Sequence, residues 1–132
     1  MARLHGLSEN SPFYPIEPDR IILQGENCVA FYDRYPVNEG HALVIPFHPA
    51  ASLYDLDEIL QAELWDMVRQ LRTILKEKYN PDGFNIGIND GASAGQTMPH
   101  THIHLIPRYK GDIADPRGGI RWIIPQKAKY WD

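Results

Sequence analysis

A single long stretch with a helical period, flanked on both sides by short strand-like segments, constrains this chain most. Apolar residues recur three and four positions apart from Leu56 to Leu75, which predicts one amphipathic helix. Such a helix must bury its apolar stripe against a second layer of structure. We interpret the stripe, together with Trp65, as core packing rather than a cofactor site.

Both ends of the predicted helix have local signals. Asp55 stands before the apolar stripe, and Glu58 follows three residues later, which is the spacing of a capping box. Pro81 disfavours helical geometry at the residue before it, Asn80. We therefore expect the helix to be capped by Asp55 and to end near Tyr79.

Segments rich in β-branched and aromatic residues predict about five strands. They cover residues 20–24, 27–33, 41–47, 84–89 and 100–107. The first two are split at Gly25-Glu26-Asn27, which indicates a hairpin. Three strands before the helix and two after it favour an α+β fold, in which one long helix packs on an antiparallel sheet of about five strands.

The length of 132 residues, 43% of them hydrophobic, suits one domain and is too short for two ordinary ones. We therefore predict a single domain over residues 1–132. Residues 1–19 contain three prolines and no regular period, which predicts an extended N-terminal arm lying on the surface or on a partner subunit. Residues 108–132 form a C-terminal tail that is basic in an otherwise acidic chain.

Charge and cysteine content argue against several classes of protein. The net charge of −4, from 13 Lys and Arg against 17 Asp and Glu, disfavours binding to nucleic acid. Cys28 is the only cysteine, which excludes an intrachain disulfide and a multi-cysteine zinc site and fits a cytoplasmic location. The longest apolar stretch, residues 42–47, is far below the roughly 20 residues that a membrane span needs. We expect no nucleic-acid or membrane partner.

The segment PHTHIHLIPR contains three histidines in strict alternation, at positions 100, 102 and 104. Side chains on a strand alternate between its faces, so these imidazoles are predicted to project from one face. Half of the six histidines of the chain fall within five residues, which chance composition does not readily produce. We therefore interpret the row as a chemical site, and we expect His5 and His48 to be ordinary surface residues.

Two chemistries fit a row of histidines. Neutral imidazoles two residues apart can share a zinc or iron ion, or one imidazole can act as a nucleophile that its neighbours assist. The upstream stretch favours the nucleophile, because Gly91 and Gly95 allow backbone N–H groups to face phosphate, and Gln96 and Thr97 add neutral donors. This stretch offers only Asp90 as a carboxylate ligand. We therefore expect no metal bound by the protein.

The block HTHIHLIPR resembles the signature of the histidine triad family, in which histidines alternate with hydrophobic residues. Thr101 stands where a hydrophobic residue is usual, and this departure concerns packing rather than the face with the histidines. A second block, FYDRYPVNEGHALVIPFHP, is similar to the family's other landmark, an aromatic and an Asp or Asn upstream of a Gly-His that opens a hydrophobic strand. The resemblance covers about residues 20–110.

The resemblance implies a nucleotidyl transferase or hydrolase, in which His102 attacks the α-phosphate of a nucleotide and forms a covalent nucleotidyl-histidine intermediate. A neutral imidazole is a good nucleophile at pH 7 and a good leaving group once protonated. His104 would contact the α-phosphate, and His100 would fix the tautomer and orientation of His102. His41 resembles the family's fourth histidine, which lines the same site.

Five further residues match family positions that bind the nucleotide. Asp33 would hold the ribose hydroxyls, and Phe31 would lie against the base. Asn89 and Thr97 would contact phosphate or the leaving group, with Gln96 beside them. Structural alternatives stay open, because Asp33 also suits a solvated strand end and Asn89 suits a turn.

Three features favour one branch of the family. The GQT sequence, the Ile-Pro-Arg continuation and the basic tail resemble the dinucleoside polyphosphate hydrolases, the branch of the fragile histidine triad protein, more than the nucleoside phosphoramidases. Arg108, Arg117 and Arg121 suit the extra phosphates of a longer substrate, although the tail equally suits dimer packing or a surface segment.

Other expectations follow from the same resemblance. A phosphoramidase, and from another class a non-catalytic nucleotide-binding or sensor protein, are the alternative functions. The family implies a homodimer, for which the proline-rich arm and the aromatic tail are the candidate surfaces. We expect no cofactor held by the protein, and a divalent cation, where one takes part, to arrive with the substrate.

Overall fold

The computed structural model describes residues 6–132, and its centre is one five-stranded antiparallel sheet. The strands are β1 (Ile21–Gln24), β2 (Cys28–Tyr32), β3 (Ala42–Pro46), β4 (Gly83–Ile88) and β5 (Ile103–Arg108). Their order across the sheet is β1-β2-β3-β5-β4. The predicted α+β fold is confirmed, and every predicted strand forms within three residues of its expected bounds.

The strand order places the histidine block in the interior of the sheet. β1 and β2 form the predicted hairpin, in which the Gly25 N–H donates to the Cys28 carbonyl at 2.8 Å. β5 is the last strand in the sequence but lies inside the sheet, where it pairs with β3 on one side and β4 on the other. As a result, His104 of β5 stands in register with Leu43 of β3 and Gly87 of β4.

The long helix, α1 (Glu58–Tyr79), begins two residues later than the predicted capping box requires. Asp57, and not Asp55, is the N-cap, and its carboxylate accepts a hydrogen bond from a backbone N–H of the first turn at 2.8 Å. Asp55 instead completes a capping box with Ser52 around a one-turn 3-10 helix. The two acidic residues give similar local signals, and Ser52 decides between them because it recruits Asp55.

The C-terminal end and the buried side of α1 follow the prediction. The helix ends at Tyr79, and Asn80 adopts a left-handed conformation (φ 48°, ψ 50°). The buried side chains of the stripe pack on one face of the sheet; they are Leu64, Met67, Val68, Leu71 and Leu75. Each burial contributes about 1.5–3 kcal/mol. Trp65 is 44% exposed, so its assignment to the core was wrong: it points about 100° away from Leu64 around the helix axis.

The opposite face of the sheet is covered on one side by the N-terminal arm, of which the structure describes residues 6–19. Leu7 and Ile16 of the arm are buried against Phe31 of β2 and Ile45 of β3. The arm therefore packs on its own sheet and not only on a surface or a partner, because its apolar residues cover strand side chains that α1 does not reach. Residues 1–5, including His5, lie outside the described residues, whereas His48 is exposed as predicted.

The C-terminal tail contains local structure that the sequence did not predict. A 3-10 helix (Gly119–Ile123) leads into a one-turn helix, α2 (Pro125–Ala128). Single 3-10 turns also form at Pro18–Arg20, Leu53–Asp55 and Ala92–Ala94. Within residues 6–132, no helix has the length and apolar character needed to cross a bilayer.

Candidate active site

The histidine row lies on the face of the sheet that the arm covers. His104 is the second residue of β5, whereas His100 and His102 belong to the extended stretch leading into that strand. Phe13 of the arm packs edge-on against His100 and His102, with ring centroids 5.4 and 5.3 Å away. The rings of His102 and His104 lie 5.0 Å apart. The three imidazoles therefore lie close together beside the arm.

His100 is fully buried, and both of its ring nitrogens are hydrogen-bonded. Nε2 lies 2.8 Å from the Pro46 carbonyl oxygen, which only accepts, so the imidazole proton sits on Nε2. Nδ1 then accepts from the Ser11 hydroxyl at 2.7 Å. Burial lowers the pKa of His100, which keeps the ring neutral at pH 7. These contacts fix both the tautomer and the position of His100.

His102 is oriented by the backbone of His100 rather than by its ring. His102 Nδ1 lies 2.9 Å from the carbonyl oxygen of His100, so Nδ1–H is the donor. The lone pair of His102 is therefore on Nε2. Because the His100 ring is anchored at both nitrogens, the carbonyl that selects this tautomer is itself held in place. The ring of His102 also lines a cavity.

His41 and His104 form a hydrogen-bonded pair with a defined direction. The Val37 N–H donates to His41 Nδ1 at 3.1 Å, so the proton of His41 is on Nε2. That Nε2–H donates to His104 Nδ1 at 2.9 Å. The remaining proton of His104 is therefore on its Nε2, where it can donate to a bound anion. The loop before β3 thus sets the tautomer of a histidine on β5.

Both members of this pair resist protonation. Burial lowers the pKa of His104 to about 4, and the neighbouring His102 and His41 lower it further, against an opposing effect of Asp33. Burial also lowers the pKa of His41, again opposed by Asp33, whose Oδ2 lies 3.5 Å from His41 Nε2. The pair is therefore neutral at pH 7 and acts through N–H dipoles rather than through full charge.

Asp33, His41 and His104 are also the group in the described part of the chain that could hold a metal ion, since one ligand atom of each lies within 4.8 Å of the others. A metal would need the lone pair of His41 Nε2, but His41 Nδ1 already accepts from the Val37 N–H. A metal-binding imidazole normally donates its second N–H to an acceptor. The contacts of His41 therefore suit a proton between the two rings rather than a resident metal.

A cavity of about 440 Å³, here named the arm cavity, opens between the N-terminal arm and His102. It is lined by residues that include Phe13, Tyr14, Phe31, Asp33, Thr97, Met98 and His102. Three predicted site residues outside the row, Phe31, Asp33 and Thr97, therefore share one cavity with His102. Asp33 Oδ1 also accepts from the Tyr35 N–H at 2.9 Å, which fixes the direction of its carboxylate.

The loop between β4 and β5 separates the remaining predicted residues. Asn89 lines a second cavity with His41 and His104, so it lies apart from Thr97. Gln96 holds the loop together: its Oε1 accepts from the Gly91 N–H, and its Nε2 donates to two backbone carbonyl oxygens at 2.7 and 3.0 Å. The predicted donation from Gln96 to phosphate would require these bonds to break.

Arg108 is engaged within the protein and not directed at the histidines. Its guanidinium grips both carboxylate oxygens of Asp112 at 2.8 and 2.9 Å and donates to Asn85 Oδ1 at 2.7 Å. Asp112 also accepts from Asn38 at 2.7 Å. Asn38 belongs to the same loop as Val37, so the network fastens the loop that orients His41.

The other two tail arginines are also occupied. Arg117 pairs with Asp115 at 3.0 Å and lies over the ring of Trp131. Arg121 donates to the carbonyl oxygens of Ala128 and Lys127. The guanidinium groups of Arg108, Arg117 and Arg121 therefore bond within the protein in this structure, and their expected contact with phosphate stays a prediction.

Sequence reasoning missed Ser11 and Phe13, which contact the row from the opposite end of the chain. Ser11 and His100 are 89 residues apart. The arm has no period that indicates which of its side chains face the sheet. A buried hydroxyl partner could have been inferred only from the need of a buried histidine for two hydrogen bonds.

Comparison with known proteins places these features in one family. A sequence model described as the HIT domain matches residues 15–111. The chain is 35% identical over 113 residues to a Mycobacterium tuberculosis protein named AP-4-A phosphorylase, covering 83% of this chain and 57% of that protein. It is 40% identical over 86 residues to the asymmetrical bis(5'-nucleosyl)-tetraphosphatase of Schizosaccharomyces pombe, covering 65% of this chain and 47% of that protein.

A solved structure agrees with the sequence matches. A member of the HIT family from Bacillus subtilis superposes with a TM-score of 0.71 at 30% identity, covering 79% of this chain and 77% of that one. The chain therefore belongs to the histidine triad family, as its histidine block predicted. It spans about half the length of the two relatives named above.

Proposed function

We propose that this protein is a nucleotide hydrolase or transferase that acts at the α-phosphate of a dinucleoside polyphosphate through a covalent bond to His102. The observation that supports this most is the hydrogen bond from His102 Nδ1–H to the His100 carbonyl oxygen. It leaves the Nε2 lone pair available for attack on phosphorus. Membership of the histidine triad family supports the same assignment.

In the first step, His102 Nε2 attacks the α-phosphorus, and the bond from phosphorus to the bridging oxygen of the leaving group breaks. The leaving group keeps the electron pair of that bond. His104 Nε2–H would donate to a non-bridging oxygen, where negative charge must be stabilised. In the intermediate, Nε2 carries phosphorus and Nδ1 keeps its proton, so the imidazole is cationic and the His100 carbonyl stabilises it.

In the second step, water attacks the same phosphorus, and the phosphorus–nitrogen bond breaks. The electron pair returns to Nε2, and the proton of the water passes to solvent as the mononucleotide leaves. The cationic imidazole is a good leaving group, so this step needs no further acid. We place the nucleoside in the arm cavity, with Asp33 facing the ribose hydroxyls and the fully buried Phe31 forming the wall behind the base.

The choice of a polyphosphate substrate rests on relatives. The names of the Mycobacterium tuberculosis and Schizosaccharomyces pombe proteins both refer to dinucleoside tetraphosphates. A specific observation favours a second candidate, a nucleoside phosphoramidase, because the tail arginines bond within the protein instead of facing the histidines. If the substrate is a polyphosphate, a divalent cation would bind to its phosphate oxygens and arrive with it.

The family also leads us to propose a homodimer. β4 is an edge strand, which offers unpaired backbone groups to a second chain. Light scattering on the purified protein measures the mass directly, and a monomeric mass at micromolar concentration would contradict this proposal.

The deciding experiment compares turnover of diadenosine tetraphosphate, diadenosine triphosphate and adenosine 5′-phosphoramidate by the wild type and by His102→Ala. We expect the dinucleotides to be preferred and kcat to fall by about 10³-fold or more in the variant, because the nucleophile is removed. His48→Ala is the matched control, since this histidine is exposed and outside the row. Quenching in alkaline denaturant, which preserves a phosphorus–nitrogen bond, should trap a nucleotidyl adduct on the wild type alone.

Each outcome assigns a different function. Preference for the phosphoramidate would keep the mechanism and select the phosphoramidase. Tight nucleotide binding without turnover of any of the three substrates would select the non-catalytic binding protein. Full activity of His102→Ala would overturn the assignment of the nucleophile.

A further inference from the structure

A second cavity, here named the tail cavity, lies on the other side of the histidine row and has a volume of about 720 Å³. His41 and His104 form one of its walls, and the isoleucines of the C-terminal tail, Ile120, Ile123 and Ile124, form another. Gly87 stands in register with His104 at its floor. A Cβ atom on Gly87 would meet no atom within 4 Å, so the space beside His104 is open.

The chemistry of this lining differs from that expected around a chain of phosphates. Among residues 6–132, no Asp, Glu, Lys or Arg side chain lines the tail cavity. The nearest basic part of the chain, the tail, directs its arginines to Asp112, Asp115 and backbone carbonyl oxygens. Recognition of several phosphates usually requires unpaired Arg, Lys or a metal ion. The lining of the tail cavity therefore suits an uncharged part of the leaving group, and not the phosphates themselves.

The apolar side of the cavity is exposed to solvent in this structure. Ile120, Ile123 and Ile124 are 60%, 78% and 54% exposed. Single exposed apolar residues are common on protein surfaces. Here, however, three of them line one cavity together with His41 and His104. Ligand sites typically combine such an apolar lining with a few polar groups, which His104 and Asn89 supply here.

We propose that the tail cavity is a leaving-group subsite that takes an uncharged, apolar moiety. This rests on the function proposed above, in which the arm cavity takes the transferred nucleotide. The two cavities border the histidine row on opposite sides, so a substrate whose α-phosphate meets His102 and His104 extends into both. Either the base of a second nucleoside or an apolar amine supplies the moiety, and the protein would select substrates by it.

Ligand binding to the His102→Ala variant, which lacks the proposed nucleophile, tests the subsite without depending on turnover. Calorimetry would compare diadenosine triphosphate with ATP, which lacks the second nucleoside. A second pair would be the N-phenyl and the unsubstituted adenosine 5′-phosphoramidates. In the His102→Ala background we expect the member with the larger leaving group to bind more tightly in at least one pair.

Two substitutions should remove that preference by different routes. Ile123→Asp places a charge in the apolar wall, and Gly87→Leu fills the floor without a strained φ angle, since Gly87 is a β-strand residue outside the positive-φ region. Each should reduce the affinity ratio by about ten-fold. The control is Ile59→Asp, an 83% exposed isoleucine on α1 that does not line the cavity.

If the substitutions remove the binding preference only in the dinucleotide pair, the subsite takes a nucleobase. If they remove it only in the phosphoramidate pair, the subsite takes an apolar amine. If neither substitution changes either affinity ratio, the proposal is overturned. This holds also if Ile123→Asp changes the mass of the assembly, which would assign the isoleucines to a contact between copies of the chain. Turnover by the wild type is measured separately. A lost binding preference with no turnover would therefore support the subsite while contradicting the proposed catalysis.

Discussion

The two flanks of the histidine row are built in opposite ways. On the arm side, a buried hydroxyl and an aromatic ring, Ser11 and Phe13, contact the histidines directly. On the tail side, the charged groups bond to one another and leave isoleucines exposed around an open cavity. One flank fixes the positions of His100 and His102, and the other leaves space beside His104.

This difference indicates that the N-terminal arm orients the histidines, whereas the C-terminal tail affects which leaving group fits. Ser11 and His100 are buried, and hydrogen bonds join the Ser11 hydroxyl to the His100 ring and the His100 carbonyl to His102, so these contacts suit precise orientation. The tail is hydrogen-bonded to the loop that orients His41, through Asp112 and Asn38, and its isoleucines line the tail cavity. Changes in the tail should therefore affect stability and leaving-group choice more than the chemical step.

The strongest test of the tail's structural role is Arg108→Gln. The variant leaves Asp112 without its bidentate partner, and we expect the free energy of unfolding to fall by about 2–3 kcal/mol, because charge-assisted hydrogen bonds in a half-buried network are lost. The midpoint of urea unfolding measures this. Arg117→Gln is the control, since that ion pair is exposed and its loss should change the unfolding midpoint much less.

The same variant also discriminates between the two flanks kinetically. If Arg108 only supports the fold, kcat/KM for diadenosine tetraphosphate and for adenosine 5′-phosphoramidate should change by the same factor. A selective loss for the tetraphosphate would show that Arg108 reaches phosphate, and the tail side would then take part in substrate binding as the arm side does.

Ser11→Ala tests the arm side. The substitution leaves His100 Nδ1 buried without its donor, which should cost about 1–2 kcal/mol of stability. Because the His100 carbonyl orients His102, we also expect kcat to fall about ten-fold with little change in KM. Ser8→Ala is the matched control in the same arm, since the Ser8 hydroxyl bonds only locally, to the Asn10 N–H. Equal kcat values for Ser11→Ala and the wild type would limit the arm to a covering role.

Local patterns in the sequence were sufficient for the five strands, the long helix and the histidine row. The period from Leu56 to Leu75 defined the helix, and the alternation around His102 placed three imidazoles together, because both signals come from neighbouring residues. The Asp55 cap failed for the same reason, since a local pattern cannot choose between two acidic residues when a third residue, Ser52, binds one of them.

Contacts between distant segments could not be read in this way. The hydrogen bond between His41 and His104 exists because β5 inserts beside β3, and the strand order is not contained in either segment alone. Asp33 reaches the same pair by the same route. The partners of the tail arginines could not be predicted either, because the pairs of Arg108 with Asp112 and of Arg117 with Asp115 depend on how the tail folds.

The smallest predicted effect is the contribution of His104, which lies on the tail side of the row, to the pH dependence of stability. Burial lowers the pKa of His104 to about 4 in the folded protein, whereas an unfolded histidine titrates near 6.5. Between these values the unfolded state binds more protons, so stability is full above pH 6.5 and falls as the pH decreases towards 4. After allowance for its partial solvent exposure, His104 should contribute about 1 kcal/mol to the loss between pH 7 and pH 5.

Urea unfolding at pH 7 and pH 5 measures this loss, and His104→Gln should lose less stability between the two pH values than the wild type. Burial also lowers the pKa of His100 and of His41, so part of the pH dependence should remain in the variant. An unchanged pH dependence in His104→Gln would mean that the open tail cavity hydrates His104 enough to cancel its burial. The two flanks would then differ in solvation as well as in packing, since His100 has no exposed surface.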